Sequence, residues 1–133
     1  MPDRDPSSPP RGRLLVADDE PHIRRLLATI LEEEGFLVDQ AGDGIEAVER
    51  LSGETPYQVA LLDIMMPGVT GLEVLEQILP LPHRRELAVV VLTAKGQDAD
   101  REAAFRLGAC DFVTKPFSPK KLLARINQLL DGP

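Results

Sequence analysis

The sequence predicts an α/β fold: a three-layer α/β/α sandwich in which five parallel strands alternate with five helices. Two observations carry the prediction. From Leu14 onward, short apolar runs alternate with stretches of helical periodicity, the pattern of βαβ units joined by right-handed crossovers. Three of the runs are nearly continuous in apolar residues, as expected of central strands covered by helices on both faces.

The runs are Leu14 to Ala17, Phe36 to Val38, Val59 to Leu62, Ala88 to Leu92, and Phe112 to Val113. The first, third and fourth read as central strands. The second, with Asp39 and Gln40 entering its pattern, reads as an edge. Between them, Ile23, Leu26, Leu27, Ile30 and Leu31 repeat at helical spacing, which places them on one face of a helix ending near Gly35. Further helices carry Ile45, Val48 and Leu51, then Leu72, Leu75, Ile78 and Leu79, and last Leu122, Leu123, Ile126, Leu129 and Leu130. The stretch from Asp98 to Leu107 is more weakly amphipathic, with Ala103, Ala104 and Leu107 as its buried edge, so it is expected to be the least firmly packed helix.

With 133 residues and 43% hydrophobic composition, the chain fits one domain, expected over 13–131. Residues 1–12, with four prolines and two serines, read as a flexible tail. Asp131, Gly132 and Pro133 read as an end or the start of a linker. A net charge of -7 opposes direct binding to nucleic acid or an anionic membrane and favours a cation or a basic partner. There is no run of about 18 apolar residues and no signal-peptide core, so the expected location is cytoplasmic. The single cysteine, Cys110, cannot form an internal disulfide and is expected to be buried and inert. His22 reads as an exposed helix residue, and Met65 and Met66 as local packing.

Polar residues follow four of the runs: Asp18 and Asp19 the first, Asp63 the third, Thr93 the fourth and Lys115 the fifth. In open α/β sheets ligands bind beyond the carboxyl ends of the strands, where strand order reverses, so these side chains should converge. Carboxylates that close repel one another, and Lys115 with a divalent cation would offset the repulsion. An all-oxygen ligand set with no His or Cys cluster favours a hard ion, Mg²⁺ first. A nucleophile, a metal, a lysine and a hydroxyl suit in-line phosphoryl transfer, with Asp63 accepting the group as an acyl phosphate. Taken singly, each residue has a plainer reading: Asp19 or Glu20 as helix N-terminus, Asp63 as strand terminator, Thr93 and Lys115 as solvated side chains.

The stretches LLVADDEPHIRRLL, LLDIMMPGVTGLEVL, VVVLTAKG and GACDFVTKPFSPKKLLARI together resemble the receiver domain of bacterial two-component response regulators, over nearly all of Leu14 to Leu130. The resemblance implies a flavodoxin-like sheet in the order 2-1-3-4-5. It implies that Asp63 is the phosphoacceptor and that Asp18, Asp19, Asp63 and the backbone carbonyl of Met65 hold Mg²⁺. Thr93 and Lys115 would each bond a phosphoryl oxygen, the Lys115–Pro116 peptide would be cis, and Thr93 and Phe112 would act as the switch. Phe112 also has the plainer reading of a core aromatic. Met65 and Lys95 would tune phosphate lifetime.

The implied partners are a sensor histidine kinase or phosphotransfer protein, and an output domain or downstream protein reached through the surface of the fourth helix, fifth strand and fifth helix. A phosphorylation-dependent homodimer through that surface is implied for part of the family. Lys121 stands where such dimers carry an acidic residue opposite a match to Arg101, which disfavours it here, although Asp111 and Arg125 match the dimer's pattern. Thr70 stands where the family usually has Asp, a change expected to affect only loop hydrogen bonds. The implied role is that of a signalling domain and not of an enzyme. The competing readings are an aspartate-nucleophile phosphatase, for which Met65 occupies the acid/base position and cannot transfer a proton, and a scaffold receiver that works without phosphorylation.

Overall fold

A computed structural model of the chain describes residues 9–94 and 98–131. Its strands are β1 (Arg13–Ala17), β2 (Leu37–Ala41), β3 (Val59–Asp63), β4 (Ala88–Thr93) and β5 (Asp111–Thr114). Its α-helices are α1 (Pro21–Glu33), α2 (Gly44–Ser52), α3 (Gly71–Ile78), α4 (Asp98–Arg106) and α5 (Pro119–Asp131), with one 3₁₀ turn at Pro82–Arg84. The sheet is parallel throughout, in the order β2-β1-β3-β4-β5. Strand order therefore reverses beside β1 and β3, where Asp18 and Asp63 lie. Among the described residues no helix is long and apolar enough to cross a membrane.

Because side chains alternate along a strand, the sheet separates two apolar layers. Leu15, Ala17, Ala60, Leu62, Val89, Val91 and Phe112 face α2, α3 and α4, packing on Leu51, Val74, Leu75 and Ala104. Leu14, Val16, Val59, Leu61, Val90 and Leu92 face α1 and α5, packing on Leu27, Leu31, Leu122 and Ile126. Every residue of β3 is buried, which accounts for the apolar run that ends in Asp63.

Several elements differ in detail from the sequence expectation. Phe36 stands just before β2, buried among Leu31 and Val59, and the strand runs on to Ala41. Ile45 is 55% exposed, although its spacing placed it on a buried face. The first turn of α2 stands beside the loop after β3, where Ile45 lies close to Gly68. Leu26 and Leu79 are exposed as well. Among the described side chains of α4 only Ala104 is fully buried, with Ala103 and, just past the helix, Leu107 half-buried, so the helix expected to be least packed is held by a narrow stripe. The tail expected over 1–12 lies outside the described residues as far as Ser8, and its last part is tied down. Arg11 donates its backbone N–H to Gly35 O (3.0 Å), stacks over the Phe36 ring (4.5 Å) and reaches Asn127 Oδ1 (2.7 Å). Cys110 is half-buried.

Two glycines permit close packing around the loop that follows Asp63. A Cβ at Gly71 would stand 2.4 Å from Asp63 O, and one at Gly44 would stand 1.8 Å from Val69 O. Contacts of that kind with backbone cannot be relieved by turning a side chain. Thr70 caps α3: its Oγ1 accepts from Glu73 N–H (3.2 Å), while Glu73 Oε1 accepts from Thr70 N–H (2.9 Å), a reciprocal capping box. Thr70 is thus a good helix start where an Asp could equally have served.

At the opposite end of the sheet, buried Arg84 donates Nε to Leu51 O (2.7 Å) and an amino group to Gly53 O (2.9 Å), and it stacks on Tyr57 at 5.2 Å. It satisfies carbonyls that the last turn of α2 leaves without intrahelical donors. Tyr57 in turn donates to Asp39 Oδ2 (2.6 Å), and Arg13 pairs with Asp39 Oδ1 (2.8 Å). Arg84→Met should therefore cost about 3 kcal/mol, since carbonyls are left unpaired in a buried site. Gly71→Ala should cost about 2 kcal/mol through overpacking. Urea denaturation followed by circular dichroism measures both, and unchanged midpoints would refute these assignments.

Candidate functional site

Asp18, Asp63 and Lys115 come together at the carboxyl ends of β1, β3 and β5. Strand alternation puts Asp63 in the same series as Val59 and Leu61, which face α1 and α5. Asp18 continues the series of Leu14 and Val16, and Lys115 that of Val113, on the same side. Thr93 follows Val89 and Val91, so it belongs to the opposite side, with Phe112. The strand ends thus hold residues that look into both layers.

Asp18 is 0% exposed and rigidly held. Its N–H donates to Ala41 O (3.1 Å), its carbonyl accepts from Arg24 Nη1 (2.8 Å), and its Oδ1 accepts from Glu20 N–H (2.9 Å). Asp63, 3% exposed, is less tightly engaged. Its Oδ1 accepts a long 3.3 Å bond from Met65 N–H, which leaves lone-pair capacity for another partner. Lys115 joins the two: its backbone N–H donates to Thr93 O (2.7 Å), and its Nζ lies 2.8 Å from Asp18 Oδ2, 3.0 Å from Glu20 Oε1 and 3.4 Å from Asp63 Oδ2. The Lys115–Pro116 peptide is cis.

The electrostatics follow from this packing. Burial, and next the negative charge of Asp18, push the Asp63 carboxyl up from 3.8 to about 6, although Lys115 and the Met65 N–H oppose the shift. Burial alone would lower the Lys115 ammonium, but its hydrogen bonds to Asp18 and Glu20 and the charges of Asp63 and Asp18 outweigh that and raise it. The lysine is thus a fixed cation beside a carboxylate whose ionisation is made harder by its surroundings.

Among the described residues the carboxylates that lie within 4.8 Å of one another are those of Asp18, Glu20 and Asp63. Asp19, read from sequence as one of the pair, is exposed and stands outside that group. The clustered oxygen donors of Asp18 and Asp63 fit a hard cation such as Mg²⁺, and the spare capacity of Asp63 Oδ1 fits direct ligation, while Glu20 Oε1 is taken up by Lys115. Met65 meets Asp63 through its main chain, since its side chain is 66% exposed and does not pack locally as expected, whereas Met66 is buried. Thr93 is buried at the end of β4. Phe112 is buried under the Arg101 guanidinium, 5.8 Å from its centroid, and the same guanidinium covers Phe105 at 5.4 Å. His22 is exposed, with Nε2 4.0 Å from Glu20 Oε2. Lys95 lies outside the described residues.

Sequence reasoning missed three residues that shape the site. Glu20 was read only as a helix start, yet as N-cap of α1 it makes no side-chain cap and turns to Lys115 instead. Its place beside two aspartates was the available signal. Arg24, one turn into α1, fixes the Asp18 carbonyl, and Gly71 gives α3 its close approach to the Asp63 backbone. Neither is visible as chemistry in a one-dimensional pattern.

Known proteins with the same arrangement are numerous. The family model of the response regulator receiver domain matches residues 14–127. The chain is 42% identical over 118 residues to the transcriptional regulatory protein ResD of Bacillus subtilis (strain 168), covering 89% of this chain and 48% of that protein. It is 42% identical over 119 residues to the CpxR homolog of Haemophilus influenzae, covering 90% and 50%. The chain thus spans about half the length of these curated relatives. Among solved structures, a CheY-like response regulator receiver domain protein from Methanospirillum hungatei JF-1 superposes with a TM-score of 0.84 at 29% identity, over 93% of this chain and 95% of that one. With its sheet order, its strand-end carboxylates and lysine, and a family match over most of its length, the chain belongs to the response regulator receiver domains of two-component systems.

Proposed function

We propose that this receiver is a phosphorylation switch in which Asp63 takes a phosphoryl group from a sensor histidine kinase or phosphotransfer protein, with Mg²⁺ bound. The observation that carries the reading is the position of the Asp63 carboxylate, buried at the end of β3 between Asp18 and Lys115 and only loosely hydrogen-bonded. One Asp63 oxygen attacks phosphorus in line with the departing nitrogen of a phosphohistidine. The P–O bond forms as the P–N bond breaks, and the imidazole leaves with the electron pair. Burial makes the ionised Asp63 more basic than an exposed aspartate, which favours attack. Lys115 would donate to one peripheral oxygen of the group and the Thr93 hydroxyl to another.

Asp18 and Asp63, with Asp19 and the Met65 carbonyl as the family resemblance implies, would hold Mg²⁺. When bound, it would neutralise charge on the transferred group and on the crowded carboxylates. By this reading the chain is a signalling domain in the cytoplasm and not an enzyme with turnover on phosphate esters. The groove lined by Ile23, Leu26, Phe117 and Pro119, opening beside Lys115, supports a protein phosphodonor, since it offers apolar surface next to the acceptor.

The readout follows from the two-sided strand ends. Capture of a phosphoryl oxygen by Thr93 would draw a side chain of the α2–α3–α4 layer toward a group bonded on the α1–α5 side. Phe112 shares that layer with Thr93, beneath a thinly anchored α4, so a change there would pass to the surface of α4, β5 and α5. That surface would act on an output domain or downstream protein. The curated relatives are transcriptional regulatory proteins of about twice this length, so the acidic receiver itself would not contact DNA.

Incubation with acetyl phosphate and Mg²⁺ should add the mass of one phosphoryl group, and Asp63→Asn should abolish the addition. An unmodified parent chain under these conditions would favour the scaffold reading. A pH test addresses the metal. In the folded chain Asp63 titrates near 6, and it would titrate near 3.8 when unfolded. Its ionisation therefore destabilises the metal-free fold fully above about 6, and the penalty fades as pH falls toward 3.8. In chelator, Asp63→Asn should raise the melting temperature well above pH 6 and leave it little changed near 3.8. Saturating Mg²⁺ at the higher pH should shrink the difference; a gain independent of both pH and Mg²⁺ would sink the assignment.

A further inference from the structure

Lys115 carries three N–H donors, and three carboxylates receive them: Asp18 at 2.8 Å, Glu20 at 3.0 Å and Asp63 at 3.4 Å. The ammonium is fully committed. A phosphoryl group on Asp63 that is to be bonded by Lys115 competes with these partners for its donors. Asp18 cannot yield easily, because it is 0% exposed and both its carbonyl and its Oδ1 are held by Arg24 and by the Glu20 N–H. Asp63 is the residue being modified. Glu20 differs from both: its side chain is 46% exposed, it makes no helix cap, and water or His22, with Nε2 4.0 Å from Glu20 Oε2, can receive it when it leaves.

We propose that Glu20 is a positioning residue whose carboxylate stands in for the phosphoryl oxygen on Lys115, holding the lysine in place before phosphorylation and giving way when the group arrives. The proposal rests on the phosphorylation-switch reading and adds to it a competitor carried by the chain itself. Asp18, Asp19, His22, Asp63 and Lys115 are the ionisable groups around Glu20, and among the described residues only Lys115 is both cationic and close enough to hold it. Since a half-exposed pair is partly screened by water, its competition is modest, and its removal should change affinity by a small factor.

The test uses the intact chain, with beryllium fluoride plus Mg²⁺ as the phosphoryl mimic. Glu20→Gln keeps the length but loses the charge, and Glu20→Asp keeps the charge but shortens the reach by one methylene. Both should bind the mimic about threefold to fivefold more tightly than the parent. In the metal-free chain, both should speed proton exchange of the Lys115 ammonium, read by ¹⁵N NMR without any phosphate present. Mg²⁺ affinity from calorimetry should remain within about twofold.

A tighter mimic in Glu20→Gln alone would reduce the effect to net charge and overturn the proposal. Weaker Mg²⁺ binding with unchanged mimic affinity would make Glu20 a metal ligand, and no change in any readout would make it a solvated surface carboxylate; either overturns the proposal. If the parent itself takes up no mimic, the switch reading falls and the proposal with it. If the parent binds and the variants bind no tighter, the proposal alone falls.

Discussion

The site is organised around one constraint: carboxylates at the ends of two buried strands must share a space too small to leave them all charged without a cation. Asp18 is sealed from solvent and Asp63 nearly so, and Coulomb repulsion at that range in a partly dry environment is costly. The Lys115 ammonium relieves it in the free chain by lying against Asp18, Glu20 and Asp63 at once. That compensation is incomplete, as the upward shift of the Asp63 carboxyl records. On the proposed reading, the residual imbalance would make room for a divalent ion and would link metal binding, proton binding and the reactivity of Asp63 in one set of charges.

Much of this was legible in the sequence because strand ends are easy to find. Continuous apolar runs such as Val59 to Leu62 can hardly be anything except central strands, and the polar residue that stops such a run must surface at the sheet edge. Asp18, Asp19, Asp63, Thr93 and Lys115 were identified in that way, and parallel topology brought them to one edge, where Asp19 is exposed and stands outside the carboxylate cluster. What the pattern did not reveal depends on three-dimensional proximity. Glu20, at the start of α1, and Lys115, after β5, are 95 positions apart in the chain and meet only in the fold. Gly44 and Gly71 matter through backbone atoms of distant loops, and Arg84 through carbonyls more than thirty positions earlier in the chain. Periodicity also misplaced Ile45, since a helical stripe gives the facing direction but not where along its length a helix overhangs the sheet.

The partition of side chains between the two layers gives the site its reach. Asp63 and Lys115 project toward α1 and α5, beside an apolar groove, while Thr93 and Phe112 belong to the layer of α4. On the proposed reading, a group attached at the edge would be approached from one side and sensed from the other. No continuous path through the packed core is needed, because the strand ends themselves are the shared boundary. The narrow buried stripe of α4 makes that helix the element with the least to lose by shifting.

The cluster of Arg84, Tyr57 and Asp39 lies at the other pole, far from any of this. Its guanidinium, phenol and carboxylate knit the end of α2 to β2 and the 3₁₀ turn with hydrogen bonds that the chemistry never disturbs. The base of the molecule is therefore tied by its own polar network, separate from the strand-end carboxylates and their lysine. On the proposed reading, substitutions at the rim would alter signalling while those at the base would alter survival of the fold.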